Sequence, residues 1–436
     1  MTNPDARKLR FNLACSIIGL AFLLLTQGVK WVQYDRRGLP QTQDFDQYYM
    51  GGVIARHGFS DRGVWRDLYP IPRNGMNPGE PENSTLRPRY AELAAQYGFD
   101  ETGGGTRYMQ PPPLAILFVP LTFFPLRIAH ALWIVLLCFA TWGIARQSAR
   151  LYSICAGRSD FVAGLIILFI CLSLQAHRWT RVGNMSAIIG WLVGFIGVSL
   201  ASDRQGVRPA IAMLIAGLAK YVSAMFLPIQ IAARHWRTVL WTIGLGAALL
   251  LFSLLITGVE PHRTFFAEIA PTLSRPVLRD QNVSLIAFAH RALHADPLPP
   301  AVQVAWKIAR LLVLLTLLVV LFGKPFGTWK IPANVCAASV AMLCWLMIFS
   351  PILWEHYFAY LAPFYGWMIW EALRARGKAA LLIGPTVAIA LLLAWFPQKV
   401  FGTRHIPEPA NSFLLWATML MLIVALGRMI KPAAAR

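Results

Sequence analysis

Apolar runs close to twenty residues long recur along this chain, at about 11–32, 127–145, 160–176, 185–201, 209–233, 237–257, 301–322, 331–349, 356–374, 378–396 and 410–430. That length matches the hydrocarbon thickness of a bilayer. Lipid offers no partner to a free backbone N–H or C=O, so such runs must close their hydrogen bonds internally, as helices. The strand-length alternation of a membrane barrel is absent. The reading is an all-α, polytopic membrane protein with about twelve transmembrane helices. Composition agrees, since 14% of residues are charged against about 25% in soluble domains. The net charge of +20 would point to nucleic acid in a soluble protein, but no soluble basic domain is present to carry it. Much of the excess lies in short loops, where it sets orientation and meets anionic lipid. The six cysteines lie in or beside apolar runs, so neither a disulfide framework nor a zinc site is expected. No glycine-rich phosphate loop is found, so ATP is not the evident energy source.

Arg7, Lys8 and Arg10 precede the first run. The run is long for a signal peptide and no small-residue cleavage site comes after it, so 1–10 reads as a cytoplasmic tail before a first span. Residues 34–126 then form a long outer interval, and a loop that long is usually functional. Two topologies fit the rest of the chain. In one, 111–126 and 209–233 are each a single span, which leaves Arg146–Arg158 and Arg204–Arg208 outside. In the other, 111–126 is re-entrant or interfacial, and 209–233 is a hairpin of two short helices turning near Lys220. The second puts Arg146, Arg150, Arg158, Arg204, Arg208, Arg234 and Arg237 inside and is preferred. It divides the chain into a seven-span module over 11–257, an extracytoplasmic loop 258–300 and a five-span module over 301–436.

On that reading the polar patches face outward together. Asp44-Phe45-Asp46-Gln47-Tyr48-Tyr49 opens the first loop. A carboxylate there could take the proton from an acceptor hydroxyl in sugar transfer; Asp44 or Asp46 could instead cap the following helix. His177, Arg178, Trp179, Thr180, Arg181 and Asn184 form a second patch, either a bidentate phosphate clamp or an interfacial anchor. Lys220 stands alone in an apolar stretch, a functional candidate by default or a snorkelling helix end. Arg275, Arg279, Asp280, Gln281, Asn282, Ser284, His290 and Arg291 suggest a substrate-binding lid or a solvated basic loop, and Asn282-Val283-Ser284 matches an N-glycosylation sequon. Glu355 and His356 follow Ser350-Pro351 and Trp354; such a histidine could bind phosphate, move a proton or pair locally.

Taken in order, these motifs resemble glycosyltransferase family 87 of the GT-C superfamily, the polyprenyl-phosphate-mannose-dependent α-mannosyltransferase-like integral membrane enzymes. The resemblance rests on Asp44-Phe45 with Tyr48-Tyr49, Gly58, Leu68-Tyr69, Pro112-Pro113-Leu114, Gly183-Asn184, Ala216-Gly217-Leu218-Ala219-Lys220, Asn282-Val283-Ser284-Leu285, and Ser350-Pro351 with Trp354 and His356. It covers roughly residues 40–365. Gly-Asn stands where Gly-Gln is expected, the lysine comes early after its Gly-Leu pair, and Met-Gln is inserted before the prolines. The resemblance implies a multi-pass enzyme of the bacterial inner membrane whose active site faces outward. It implies inverting transfer of a sugar, commonly mannose, from a polyprenyl-phosphate donor to a lipid-linked or periplasmic glycan acceptor. Asp44 matches the family aspartate and would be the general base. Lys220, Arg178, Arg181 and His356 would hold the donor phosphate, and Tyr48, Tyr49, Asn184 and Asn282 are further substrate-binding candidates. No metal and no cofactor beyond the lipid-linked donor is called for, and the partners are membrane lipids and glycans rather than nucleic acid. The competing readings are a lipid or glycan transporter or flippase, and a glycan polymerase or ligase with a lipid-pyrophosphate donor. A transporter would show an internal repeat and charges along its mid-span faces, and neither is evident.

Overall fold

A computed structural model describes residues 4–36, 43–72, 84–99, 107–273, 275, 282–295, 297–395 and 412–432. Helix α1 (Pro4–Arg36) enters, and α2 (Gln43–Gly58) and α3 (Pro88–Gln96) form the first polar interval with a two-residue antiparallel pair, β1 (Ile71–Pro72) and β2 (Ser84–Thr85). Then come α4 (Pro112–Phe118), α5 (Leu126–Ala156), α6 (Phe161–Cys171), α7 (Leu174–Arg181), α8 (Ser186–Ala201), α9 (Val207–Ala219), α10 (Leu227–Ala232) and α11 (Trp236–Thr257). The second polar interval holds α12 (Glu260–Thr264), α13 (Ala270–Leu273) and α14 (Leu285–Leu293). The chain closes with α15 (Pro300–Phe322), α16 (Pro332–Phe349), α17 (Tyr365–Arg374), α18 (Lys378–Trp395) and α19 (Phe413–Ile430).

Seven of these, α1, α5, α11, α15, α16, α18 and α19, are long and apolar enough to cross a membrane; α6 and α7, bent by 49° at their junction, make an eighth if taken as one span. The protein is thus a polytopic, all-α membrane protein. The other expected spans are shorter. Helix α8 has 16 residues, about 24 Å at 1.5 Å per residue, against a hydrocarbon core of about 30 Å. The run expected over 356–374 begins as 3-10 turns, Glu355–Tyr360 and Ala362–Phe364, before α17. Helix α16 is apolar all round and 89% buried over its spanning window, while the windows of α11 and α15 are 11% buried. The former is the centre of the bundle and the latter two turn their leucines to lipid.

The stretch 209–233 is a hairpin. Ser223 Oγ donates to the Met213 carbonyl (2.6 Å), and Gln230 Nε2 lies 3.9 Å from the Met213 sulfur. A straight helix would put Gln230 about 25 Å from Met213, so the chain reverses at Lys220, whose backbone is extended (φ −160°, ψ 137°). Pro112–Phe123 is likewise no span: it lies along α2, which Tyr49 fixes to its far end through the Phe124 carbonyl (2.9 Å). The single-span alternative fails on geometry, because it would put Asp44 and Asn184 on opposite membrane faces, whereas their side chains are 2.9 Å apart. The described parts of the five polar patches meet at this end of the bundle. The opposite end carries Arg158 on Asp160 (3.7 Å), Asp203 between His235 (2.8 Å) and Lys330 (3.9 Å), and Arg428 paired with Glu371.

One seam sets the position of the polar end. Gly190, Gly194 and Gly197 form a stripe on α8 against residues 359–364. A Cβ on Gly190 would sit 2.2 Å from the Ala359 carbonyl oxygen, one on Gly194 2.9 Å from Pro363, and one on Gly197 2.8 Å from Phe364. Small residues let helices approach closely where lipid supplies no hydrophobic drive. Gly190→Ala is expected to cost about 1–3 kcal/mol, as overpacking does, and to lower the melting temperature of the detergent-solubilised protein. An unchanged melting curve would show that the seam yields freely.

Candidate active site

Helix α2 is held by aromatic packing. Tyr48 stacks on Phe118 at 5.0 Å between centroids, and Phe45 packs against His130 and Trp133 at 4.7 and 5.4 Å. Two residues along a helix turn about 200°, so Asp44 and Asp46 point to different neighbours. Asp46 Oδ1 lies 3.1 Å from His130 Nε2, inside the protein. Asp44 Oδ2 instead accepts a hydrogen bond from Asn184 Nδ2 (2.9 Å). The carboxylate lies inside the first turn of α2 and is claimed by a residue 140 positions away, rather than serving only as a local cap.

Burial pushes the pKa of Asp44 up; the Asn184 hydrogen bond, then the charges of Lys220 and Arg178, pull it part of the way back, and Asp46 adds a small push upward. Asp46 is also raised by burial, against the pull of its contact with His130. Burial, and then the charge on Asp44, hold the Tyr48 phenol in its neutral form. The site therefore holds a carboxylate partly removed from water, with two cations close enough to act on it.

Asn184 reaches Asp44 because the turn before α8 is fixed. Gly183 adopts φ +74°, a conformation glycine tolerates best, and its carbonyl accepts from Trp133 Nε1 (2.7 Å). Asn184 Oδ1 accepts from the Ser186 amide (3.0 Å) and hydroxyl (2.7 Å), which orients its amide nitrogen toward Asp44. Ser186 Oγ is 3.2 Å from the Tyr360 hydroxyl, and Tyr360 stacks on Tyr357 at 5.5 Å. Lys220 closes the ring: its ammonium donates to the Tyr357 hydroxyl and sits 3.8 Å from the centre of that ring.

Of the second patch, Arg178 faces the site with its Nε 3.3 Å from Glu355 Oε2, so its guanidinium is already partly engaged. Arg181 is exposed one turn further on. His177 turns away to α1, where Nδ1 meets Gln27 (2.9 Å) and Thr26 (3.3 Å). His356 is buried edge-on to Tyr357 (4.8 Å), and its Nε2 has no hydrogen-bond partner among the described residues.

Two candidates are placed elsewhere. Tyr49 is a core residue whose hydroxyl is spent on Phe124. Asn282 is wholly buried and works as a staple: Nδ2 donates to the Pro351 carbonyl (2.9 Å), and Oδ1 accepts from the Leu353 (2.9 Å) and Ser284 (3.2 Å) amides. It binds the second polar interval to the 350–353 turn and faces no open space. Arg291 serves the same junction, bonding the Asn282 carbonyl (2.7 Å) and Ser412 (3.0 Å). Arg279, Asp280 and Gln281 lie outside the described residues. Sequence reasoning does not single out Ser186, Tyr357, Tyr360 or His130; only the adjacency of Tyr357 to His356 points their way. Among the described residues, no three His, Cys, Asp or Glu side chains converge as a metal site would require.

A buried carboxylate with a lysine and an arginine acting on it, at one end of an apolar bundle, suits group transfer to or from a phosphorylated lipid. Comparisons with known proteins point the same way. A family model described as Glycosyltransferase family 87 matches residues 108–351, which include Arg178, Arg181, Asn184, Lys220 and Asn282 but not Asp44 or His356. The chain is 23% identical over 325 residues to a polyprenol-phosphate-mannose-dependent alpha-(1-2)-phosphatidylinositol pentamannoside mannosyltransferase of Mycolicibacterium smegmatis, covering 73% of this chain and 75% of that protein. No solved structure gives a significant match. With more than half of its length matched, this chain belongs to glycosyltransferase family 87 and is a membrane glycosyltransferase.

Proposed function

We propose that the protein transfers one sugar, mannose in the first instance, from a polyprenyl-phosphate donor to a lipid-linked or periplasmic glycan acceptor, with inversion at the anomeric carbon. Asp44 takes the proton of the acceptor hydroxyl as its oxygen forms the new bond to that carbon. The bond to the phosphate oxygen breaks, and the polyprenyl phosphate leaves with the electron pair. Lys220 and Arg178 stabilise the charge developing on that phosphate, with Arg181 and His356 lining the approach. Asn184 orients the base, and Tyr48 walls its pocket. The observation that carries this reading is the Asp44 carboxylate, fixed by Asn184 and acted on by the charges of Lys220 and Arg178. The donor class and mannose are supported by the mycobacterial relative's name. The arginine-rich loops gather at the far end of the bundle, which supports an extracytoplasmic site in the inner membrane.

The test offers the purified protein two radiolabelled donors, polyprenyl-phosphate mannose and a nucleotide-linked mannose, with a glycolipid acceptor extract. Label is expected to enter the glycolipid from the lipid donor alone. Transfer from the nucleotide sugar at an equal rate would overturn the donor assignment.

A further inference from the structure

A second cationic site lies on the lipid-facing side of the bundle. Lys307, Arg310, Leu311 and Leu314 fall on one stripe of α15 and, with Trp345 of α16, line an open cleft of about 270 Å³, just below the range for ligand pockets, about 300–1,000 Å³. Arg310 is stationed there: its guanidinium carbon lies 5.7 Å from the ring centres of both Trp306 and Trp345, and its carbonyl accepts from Trp345 Nε1 (2.9 Å). Lys307 and Arg310 are exposed, and neither has a carboxylate partner among the described residues. Among the described residues no acidic side chain lines the cleft.

Two cations with no described carboxylate partner, inside an otherwise apolar span, are costly to keep there without a function. Trp345, which donates to the Arg310 carbonyl, stands four residues, about 6 Å of helix rise, before α16 ends at Phe349, while Lys307 and Arg310 stand about 10 and 15 Å of rise from Pro300 at the start of α15. From such positions long cationic side chains extend toward the headgroup region. Below them Leu311 and Leu314 continue the same stripe toward the membrane interior, the position an acyl or prenyl chain would take beneath its headgroup. The guanidinium fork suits phosphate oxygens and the ammonium adds a point charge.

We propose that this cleft binds an anionic membrane lipid through its phosphate group, with the lipid chain lying along α15. The site is separate from the Asp44 cluster and does not depend on the glycosyl-transfer reading. Residues 350–357, which carry His356 and Tyr357, continue directly from α16, so a lipid held at Trp345 lies on the same stretch of chain, eleven residues before His356.

The experiment uses the full chain in phosphatidylcholine nanodiscs doped with dibrominated phosphatidic acid. Bromine quenches nearby tryptophan, and subtracting the Trp345→Phe protein isolates the signal from the cleft. Each cation near a membrane surface contributes about fivefold to anionic-lipid affinity, so Lys307→Gln with Arg310→Gln should raise the half-quenching lipid fraction about thirtyfold. Dibrominated phosphatidylcholine should give a shallow curve that the double variant leaves unchanged. Equal quenching by the two lipids, or an unshifted curve in the double variant, would overturn the proposal. Displacement by millimolar inorganic phosphate would overturn the lipid assignment in favour of a soluble anion. If the glutamine pair lowers the folded yield, Leu314→Phe fills the cleft instead, and an unshifted curve there would be equally decisive against it.

Discussion

Asp44→Asn is expected to reduce turnover of labelled polyprenyl-phosphate mannose about 10²–10⁴-fold, the range for loss of a general base. Asparagine keeps an oxygen to accept the Asn184 hydrogen bond and removes only the charge. Burial raises the folded-state pKa of Asp44, so folding favours its protonated form. That stability is present below the unfolded-state value and is lost as pH rises through the folded-state one. Above the folded-state value the ionised carboxylate therefore works against folding, and the asparagine variant should melt no lower than the parent. A dead enzyme with an intact melting curve separates catalysis from structure. Undiminished turnover would remove Asp44 from the mechanism. The same shift fixes the acid limb of the pH–rate profile: activity is retained above the raised pKa and lost below it, at a higher pH than an ordinary aspartate, about 3.9, would give.

Lys220→Met should cost about 10²–10³ in turnover, comparable to losing one preorganised donor at a developing negative charge. Methionine keeps an unbranched apolar stem at the turn of the hairpin, so the reversal between α9 and α10 survives. The split between constants is the informative readout. If the ammonium acts on the leaving phosphate, kcat falls; if it merely holds the donor, KM rises and kcat stays. A variant that loses neither would show that the short contact with Tyr357 is the whole business of the lysine.

The helices were legible because apolar run length is a strong signal in lipid: α11, α15, α16 and α19 begin and end within a few residues of their runs. Helix α5 overshoots its run to Ala156 because nothing before Gly157, which is left-handed at φ +69°, stops it. The reversal near Lys220 was legible because only a hairpin there puts the arginine-rich loops on one side of the membrane. Residues 355–364 were not, since their 3-10 turns are as apolar as a helix and only Pro363 hints at a break. The site was half legible. Asp44, Asn184, Lys220 and Arg178 are unusual in their surroundings and came through motif order. Ser186, Tyr357 and Tyr360 are ordinary residues whose part depends on contacts more than a hundred positions apart, which no local pattern records. Asn282 shows the converse: a buried staple and a ligand-binding amide look alike in a sequence.

That staple bears on how the protein can be made. Asn282 and Ser284 spell an acceptor for oligosaccharyltransferase, yet in the finished fold the amide nitrogen is committed to the Pro351 carbonyl and shielded from any enzyme. A eukaryotic secretory host could decorate it only on a chain still emerging from the translocon, and the attached glycan would then keep the 282–353 junction from shutting. Material from yeast or insect cells should accordingly divide into an unmodified, assembled pool and a heavier, endoglycosidase-sensitive pool that never matured.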